Sequence, residues 1–569
     1  MPQKNTVRQT AAGMWALAKP YWVSSEWRSA WGLLAVVVAL NLAIVYMSVQ
    51  FNLWNNVFYN ALQQLDASGF RQALLKFSWM AVIWIILQVY SSYLQQMLQL
   101  RWRRWMTHQF LGDWFQRQAY YRLHHLTPPV DNPDQRIAED VNQFTATALA
   151  LSLGLLSSVV TLFSFITILW TLSGSLSFTL FGHALTVPGY MVWVALLYAL
   201  GGTIITMWIG WPLVKLNYQQ QWLEANFRFG LLRVRENSES VALYRGETPE
   251  SQELKHRFTH VFGNFFQLML RQKKLTWFTA GYSQIAIIFP IVVAAPRFFA
   301  KQIELGGLMQ ISSAFAQVQG ALSFFIGAYP TLANWQATSE RLFMFRDGLD
   351  RARALEVLAP RPQGRGLRVE GLAVSTPDAR PLLTGVSFDL APGDSLLIRG
   401  RSGCGKSTLM RALAGIWPYA QGQMLLPQDT RTLFLSQRPY IPLGTLRQAL
   451  YYPGIPPEHD DAATLDMVLD TVALTHLRAQ LDEAAPWQHI LSVGEQQRVA
   501  FARVLLNRPD VVFLDEASSA LDEELEAQLY HAIGRTMAQG IVVSIGHRAA
   551  LLAFHAQHID CADYLAPAI

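Results

Sequence analysis

The sequence predicts two parts: an α-helical membrane domain of six transmembrane helices with long extensions beyond the bilayer, then an α/β domain of the P-loop kind. Three observations predict it. Lys, Arg, Asp and Glu are absent from residues 29–65, 77–100, 141–214, 275–296 and 305–339. Basic residues gather in alternate connections between those tracts. A glycine-rich stretch, "GRSGCGKST", stands at 400–408 directly after a short apolar run.

The membrane tracts come first. The 569 residues are 51% hydrophobic and only 15% charged, where soluble proteins carry roughly 25% charge. Such a length calls for two or more domains. One bilayer crossing takes about 20 apolar residues, so the tract 141–214 holds two. Spans are therefore expected near 29–52, 74–98, 146–171, 188–212, 275–296 and 310–334, the last being the least apolar.

Topology follows from the connections. Residues 99–144 carry Arg101, Arg103, Arg104, Arg117, Arg122 and Arg136, and 213–274 is similarly basic. Only Arg71 lies in 53–73, and 172–187 has neither Lys nor Arg. Short basic loops stay in the cytoplasm, which places the N-terminus, both basic connections and the C-terminal domain inside. The net charge of +5 is accounted for by topology, and no nucleic-acid partner is expected. The opening residues lack a cleavable leader pattern and read as an amphipathic lead-in on the inner membrane face. Cys404 and Cys561 are the only cysteines. Both fall on the inner side, so no structural disulfide is expected.

The two inward connections are rich in helix formers and read as stalks. A helix from 188 to 240 would be about 80 Å long at about 1.5 Å per residue, against roughly 30 Å of hydrocarbon. "ETPESQ" (247–252) is expected to break the second stalk, and Pro128, Pro129 and Pro133 the first. The reversals at the stalk tips would press on the C-terminal domain. In the last span Gln310, Ser313, Gln317 and Gly320 share one helical face, with Ser312, Gln319 and Ser323 beside it. Such a stripe suits a hydrated cavity or, equally, close helix packing. No carboxylate lies inside a span, which excludes an obvious proton relay and points to an energy source elsewhere in the chain.

That source is legible from about residue 360. "RPQGRG" (361–366) reads as a linker, "LRVEGLAV" and "GVSFDL" as strands, and "DSLLIRG" as the strand entering the glycine-rich loop. Gly400, Gly403, Gly405, Lys406 and Ser407 complete the pattern GxxxxGK[ST], whose amides cradle phosphates at a helix start. Arg401, Ser402, Cys404 and Thr408 fill the remaining loop positions, so 400–408 as a whole is the candidate ATP-binding segment. Lys406 would bridge the terminal phosphates and Ser407 would hold Mg²⁺. "VVFLDEASSALD" (511–522) is a buried strand ending in two acids: Asp515 for the Mg²⁺ shell and Glu516 to polarise the attacking water. Gln437, in "FLSQRPY", can sense metal and water together. His547, in "VVSIGHR", sits at a strand end within reach of the γ-phosphate.

"LSVGEQQRVAFARVLL" (491–506) resembles the signature helix of ABC-family ATPases, with Val493 and Glu495 departing from the common LSGGQ spelling. That resemblance implies that Ser492 and Gly494 contact the γ-phosphate bound by a second copy, with Glu495 and Asp522 also counted as nucleotide-binding. The position where the family often stacks an aromatic on adenine holds Thr376 and Pro377, so base selectivity is expected to be loose. "EANFRFGLLRVRENSESVALYRGE" (224–247) and "NPDQRIAEDV" (132–141) narrow the likeness. They resemble the group that joins bacterial BacA/SbmA-like transporters to peroxisomal fatty-acyl and lysosomal cobalamin half-transporters.

The resemblance implies an exporter-type fold and an ATP-hydrolysing half-transporter acting as a homodimer in the lipid of the bacterial inner membrane. It implies a transmembrane domain at 1–345, a linker at 346–366 and an ABC ATP-binding domain at 367–569. Peptides or other hydrophilic compounds are the expected cargo, with fatty-acyl or lipid-like substrates, or an ATP-gated channel, as alternatives. Both Glu516 and His547 are present, which favours continuous turnover over gating.

Overall fold

The computed structural model describes residues 7–126, 132–180, 183–457 and 462–566. Two compact units emerge: Met1–Leu111 with Asn132–Arg346, and Gly112–Asp131 with Asp347–Ile569.

Six long helices dominate the first unit: Trp27–Gln63, Ala67–Phe115, Val141–Ser173, Tyr190–Glu236, Glu247–Phe299 and Leu305–Ala354. The first five are long and apolar enough to cross a membrane. The sixth reaches 50 residues with more polar side chains, and the reason is visible in its packing. Gln310 is buried. Its amide donates to Asn52 Oδ1 at 3.2 Å and accepts from Asn56 Nδ2 at 2.8 Å, while Asn52 donates to the Gln310 carbonyl at 3.0 Å. Asn60, one turn further along, accepts from the Gly306 amide at 2.7 Å. A Cβ at Gly306 would lie 2.1 Å from the Asn56 carbonyl oxygen, so only glycine permits this approach. An asparagine ladder at four-residue spacing thus binds the first long helix to the last, each polar group satisfied by another, as burial in an apolar medium demands.

The polar stripe of the last span therefore divides. Gln310 serves packing, while Ser312, Ser313 and Gln319 line a cavity of about 360 Å³ with Asn55, Tyr59 and Ser283.

The helices Tyr190–Glu236 and Glu247–Phe299 lie side by side. Tyr198 and Tyr282 stack at 4.5 Å, and each hydroxyl donates to the other's carbonyl, at 2.6 and 3.1 Å. At 47 residues the first of the pair measures about 70 Å, close to the expected stalk. The break is misplaced in the sequence reading. Chain reversal occurs over Asn237–Gly246, with Arg245 in a left-handed conformation (φ 54°). "ETPESQ" opens the next helix, because Pro249 falls in a first turn, where its missing N–H costs nothing. Likewise the helix Ala67–Phe115 ends before its prolines, at left-handed Arg117 and Gln118. Pro133 starts a short helix, and Pro128 and Pro129 lie outside the described residues. One element was missed outright: Ser175–Leu180 pairs antiparallel with His183–Pro188 between the third and fourth spans. The lead-in forms the helix Val7–Trp22, whose Tyr21 stacks on Trp102 at 5.8 Å.

In the second unit a five-stranded parallel sheet runs in the order Gln557–Asp560, Ser395–Arg399, Ile541–Ile545, Val511–Asp515, Thr432–Leu435. Its three central strands are short apolar runs, as burial on both faces requires, while the edge strand Gln557–Asp560 alternates half-buried and exposed residues. Phe434 and Phe513 stack across neighbouring strands at 4.2 Å. A second sheet of Arg361–Pro362, Ala420–Leu426, Leu367–Ser375 and Pro381–Leu390 covers one side. "RPQGRG", expected as linker, contributes the short edge strand Arg361–Pro362.

Candidate functional site

Parallel strands place their carboxyl ends along one sheet edge, where open α/β sheets bind ligands. Ser395–Arg399 ends in Gly400, Val511–Asp515 in Glu516, Ile541–Ile545 in Gly546 and His547, and Thr432–Leu435 in Ser436 and Gln437. Four motifs spread over residues 400–547 are thereby brought together.

The loop 400–405 leads into the helix Lys406–Leu413. Gly400 is enclosed: an added Cβ would lie 2.9 Å from Cys404 Sγ and 3.0 Å from Cys561 Cβ. Gly403, at φ +81°, faces open space, with nothing within 4 Å of such a Cβ. The backbone can therefore approach a ligand there without a side chain intervening. Lys406 is buried, and its ammonium donates to the carbonyls of Gly400 and Arg401, both at 3.0 Å. These neutral acceptors hold the charge in place for a phosphate, a stronger acceptor. Cys404 packs beside Cys561, whose thiol burial pushes up to about 12. Both are free thiols, as expected.

Ser407 Oγ donates to Asp515 Oδ1 at 3.3 Å. Burial pushes the Asp515 carboxyl above its ordinary value, against the Ser407 hydrogen bond, and the neighbouring Glu516 charge adds to the rise. A nearby cation would relieve both effects. Hydroxyl, carboxylate and amide oxygens are the hard donors Mg²⁺ takes. Among the described residues no three His, Cys, Asp or Glu side chains form a metal cage. An ion here would complete its shell with water and phosphate oxygens, as Mg²⁺ commonly does.

Glu516 is the focus of the edge. Its φ of +49° is a left-handed conformation that a non-glycine residue adopts only under constraint. Its amide donates to the Ile545 carbonyl at 3.1 Å, which pins the turn to the adjacent strand. The carboxylate is held from both sides: Gln437 Nε2 donates to Oε2 at 3.1 Å, and His547 Nε2 lies 3.1 Å from Oε1.

The signature residues form a separate group. Ser492 caps the helix Val493–Asn507, its Oγ accepting from the Glu495 amide at 3.3 Å and donating to Glu495 Oε2 at 2.8 Å. Burial alone would raise the Glu495 carboxyl, but Ser492, His476 and Arg498 hold it below its ordinary value. Asp522 caps the helix Glu523–Thr536 by accepting from the Leu525 amide at 2.8 Å. Among the described residues no hydrogen bond joins Ser492, Gly494, Glu495 or Asp522 to the loop 400–408. Ser492 and Asp522 are exposed, and Gly494 and Glu495 half-buried.

Three features escaped the sequence reading. Gln497 is fully buried on the signature helix and bonds two of the loops. Arg548 pairs with buried Glu526 at 3.2 Å and donates to the Ser519 carbonyl at 3.2 Å. The third is the set of residues that make the contact expected of the first stalk turn. Within the second unit, His125 packs edge-on against Trp417 at 4.9 Å, and Tyr419 donates to the His125 carbonyl at 2.9 Å. Arg122 donates to the Leu355 carbonyl at 3.2 Å, and Arg353 to Asp113 at 2.7 Å. Trp417 follows closely on the helix that begins at Lys406, so the stalk turn rests on the element that carries the phosphate loop. An aromatic pair just after that helix was the available signal.

Residues 376–380 form a closed turn, with the Thr376 amide donating to the Arg380 carbonyl at 2.9 Å and the Arg380 amide to Thr376 Oγ1 at 3.2 Å. It presents no ring for a base.

The chain matches the family model "ABC transporter transmembrane region 2" over residues 17–299 and the model "ABC transporter" over 383–519. It is 34% identical to the inner membrane ABC transporter ATP-binding protein YddA of Escherichia coli, covering 95% of this chain and 96% of that one. Against the human lysosomal cobalamin transporter ABCD4 the identity is 28%, over 91% of this chain and 89% of the other. The solved structure of a bacterial Atm1-family ABC exporter with ATP bound superposes with a TM-score of 0.71 at 17% identity, covering 94% and 93% of the two chains. This last likeness concerns the fold.

Proposed function

The chain belongs to the ABC transporter family, and on that premise we propose that two copies form a homodimer in the inner membrane and complete each other's ATP sites. The coarser function stands without proposal: this is a membrane-embedded, ATP-driven transporter of exporter-type fold that couples ATP hydrolysis to transport. One observation carries the dimer. Ser492 and Gly494, the first exposed and the second half-buried, form a capped helix start that among the described residues makes no hydrogen bond to the chain's own phosphate loop. At the tip of the second stalk, Leu243 and Tyr244 are 77% and 88% exposed, an apolar surface suited to a partner.

In this reading residues 400–408 bind the phosphates, with Lys406 against the terminal pair. Ser407, Gln437 and Asp515 would hold Mg²⁺, which when bound supplies positive charge against the phosphate oxygens. Glu516 orients and deprotonates the water, Gln437 and His547 fix its carboxylate, and the partner's signature residues close the site. His125 and Trp417 transmit closure to the stalk. The N-terminus and the ATP-binding domain lie in the cytoplasm.

The test uses two inactive chains. Lys406→Ala disables the phosphate loop and Gly494→Asp the signature, so each alone abolishes turnover. Co-expressed one to one, random pairing yields a measurable recovery of at most about a quarter of wild-type activity, because half the dimers keep one intact composite site. No recovery, with a single-copy mass in nanodiscs, would remove the dimer.

A hydrophilic cargo is favoured by the neutral, hydrogen-bonding side chains of Asn55, Tyr59, Ser283, Ser312, Ser313 and Gln319 in the cavity of the first unit, although Ala286, Ile287, Met309 and Ala316 complete its lining. Vesicles of known orientation, offered labelled peptide and labelled acyl compounds, decide between this class and the lipid-like one. The closed turn at 376–380 makes a further prediction. Base stacking is worth about 1–3 kcal/mol. Without a ring at this turn, GTP should be hydrolysed with a kcat/KM within about tenfold of that for ATP, as competition kinetics would measure.

A further inference from the structure

The catalytic edge and the signature helix are joined at one buried side chain. Gln497 has no exposed surface, yet three of its amide's four hydrogen-bonding positions are used. Its Nε2 donates to the Gln437 carbonyl at 3.0 Å and to Ser519 Oγ at 3.0 Å. Its Oε1 accepts from the Ala520 amide at 2.9 Å. Gln437 in turn donates to Glu516 Oε2 at 3.1 Å, and the Ser519 amide donates to the Glu516 carbonyl at 3.1 Å. The bonds form a closed ring through Glu516, Gln437, Gln497 and Ser519. Arg548, next to His547, grips the same Ser519 by its carbonyl at 3.2 Å.

Gln497 sits one turn into the helix whose start carries Ser492 and Gly494. The ring on one side contains the carboxylate that acts on this chain's own ATP. The helix start on the other side acts, in the dimer, on the second copy's ATP. A buried amide with two donors and one acceptor committed to three backbone or hydroxyl partners has no freedom to move alone. A displacement of Gln437 at one site therefore displaces Ser519 and the signature helix together.

We propose that Gln497 is a positioning residue that couples the two ATP sites of the dimer by locking Gln437, Ser519 and the signature helix into one moving unit. The proposal rests on the homodimer reading above. It predicts that severing the ring slows turnover and uncouples the sites, without weakening nucleotide binding to the loop 400–408.

The test uses the full chain in nanodiscs, with Gln497→Met, Ser519→Ala and the double variant. Gln497→Met keeps the shape and removes the polar atoms. Ser519 is exposed, so Ser519→Ala spares the fold. Gln497→Met should lower kcat about tenfold or more with KM within about twofold, and should bring the Hill coefficient of hydrolysis toward about 1. Ser519→Ala should do the same more weakly. The double variant should be no slower than Gln497→Met, since the shared bond is already gone. A Hill coefficient equal to wild type in both single variants, or strictly additive losses, would overturn the proposal. If Gln497→Met fails to fold, Ser519→Ala decides: an unchanged Hill coefficient there is enough to reject it. A non-cooperative wild type of single-copy mass would instead strike at the dimer, and the proposal would fall with it.

Discussion

Glu516→Gln lowers ATP turnover by about 10²- to 10⁴-fold, the range expected when a positioned general base is lost, while nucleotide binding stays within about threefold of wild type. The geometry makes this the sharpest result to expect. The two carboxylate oxygens are held separately, Oε2 by Gln437 and Oε1 by His547, each at 3.1 Å. An amide of the same shape keeps one of these contacts and removes the basic oxygen. Binding should survive because Lys406 and the loop amides, which grip the phosphates, are untouched. Misfolding is a poor explanation for such a loss. The left-handed backbone at Glu516 (φ +49°) strains any non-glycine side chain alike, and Glu→Gln leaves it unchanged. Phosphate release and fluorescent-nucleotide binding, measured on the same sample, separate the two effects. Turnover within about threefold of wild type would remove Glu516 from the chemistry.

The candidate residues that could be picked out in advance are those whose pattern is written into a contiguous stretch. A phosphate loop needs its glycines and lysine within nine positions, and a strand followed by two acids needs no distant partner to be recognised. Spans were legible for a similar reason, since a bilayer excludes charge from about 20 consecutive residues. The last helix was the least distinct because Asn52 and Asn56, some 250 positions away, satisfy its Gln310, and no local pattern reports that. The hairpin Ser175–Leu180 with His183–Pro188 was lost because freedom from charge, the useful signal in this tract, does not distinguish strand from loop. The stalk ends were misjudged by trusting proline as a breaker. Arg117, Gln118 and Arg245 turn the chain in left-handed conformations that nothing in their side chains advertises. Gln497 illustrates the same limit in the site. Its residue type was plain, but its burial, and hence its obligation to bond three partners, is a property of the fold.

A second large effect is expected in the first unit, in the segment "NPDQRIAEDV". Asp140 is buried. It accepts from Arg136 at 2.7 Å and from both Nε and a terminal nitrogen of Arg341, at 2.9 and 2.7 Å. The triad thus joins the base of the third span's helix to the helix Leu305–Ala354. Burial alone would raise the Asp140 carboxyl, but Arg341 and Arg136 hold it below its ordinary value. Because the folded value is the lower one, the stabilisation is complete above the ordinary carboxylate range and is lost as pH falls from there through the lowered value. Removing one partner of a buried pair costs about 3–5 kcal/mol, chiefly by stranding the other charge. Arg341 keeps 38% of its side chain exposed, so Asp140→Leu should sit near the low end, about 3 kcal/mol. This corresponds to a melting point lower by about 5 °C in a membrane mimetic. Arg136 has only 11% of its side chain exposed and suffers most from the loss. Adding Arg136→Met should recover part of the deficit, since an apolar side chain then replaces a largely buried charge. An unchanged melting point in Asp140→Leu would mean that the triad is ornamental. A double variant less stable than the single would mean that the other contacts of Arg136 outweigh the cost of burying its charge beside an apolar replacement of Asp140, and that the burial account is wrong.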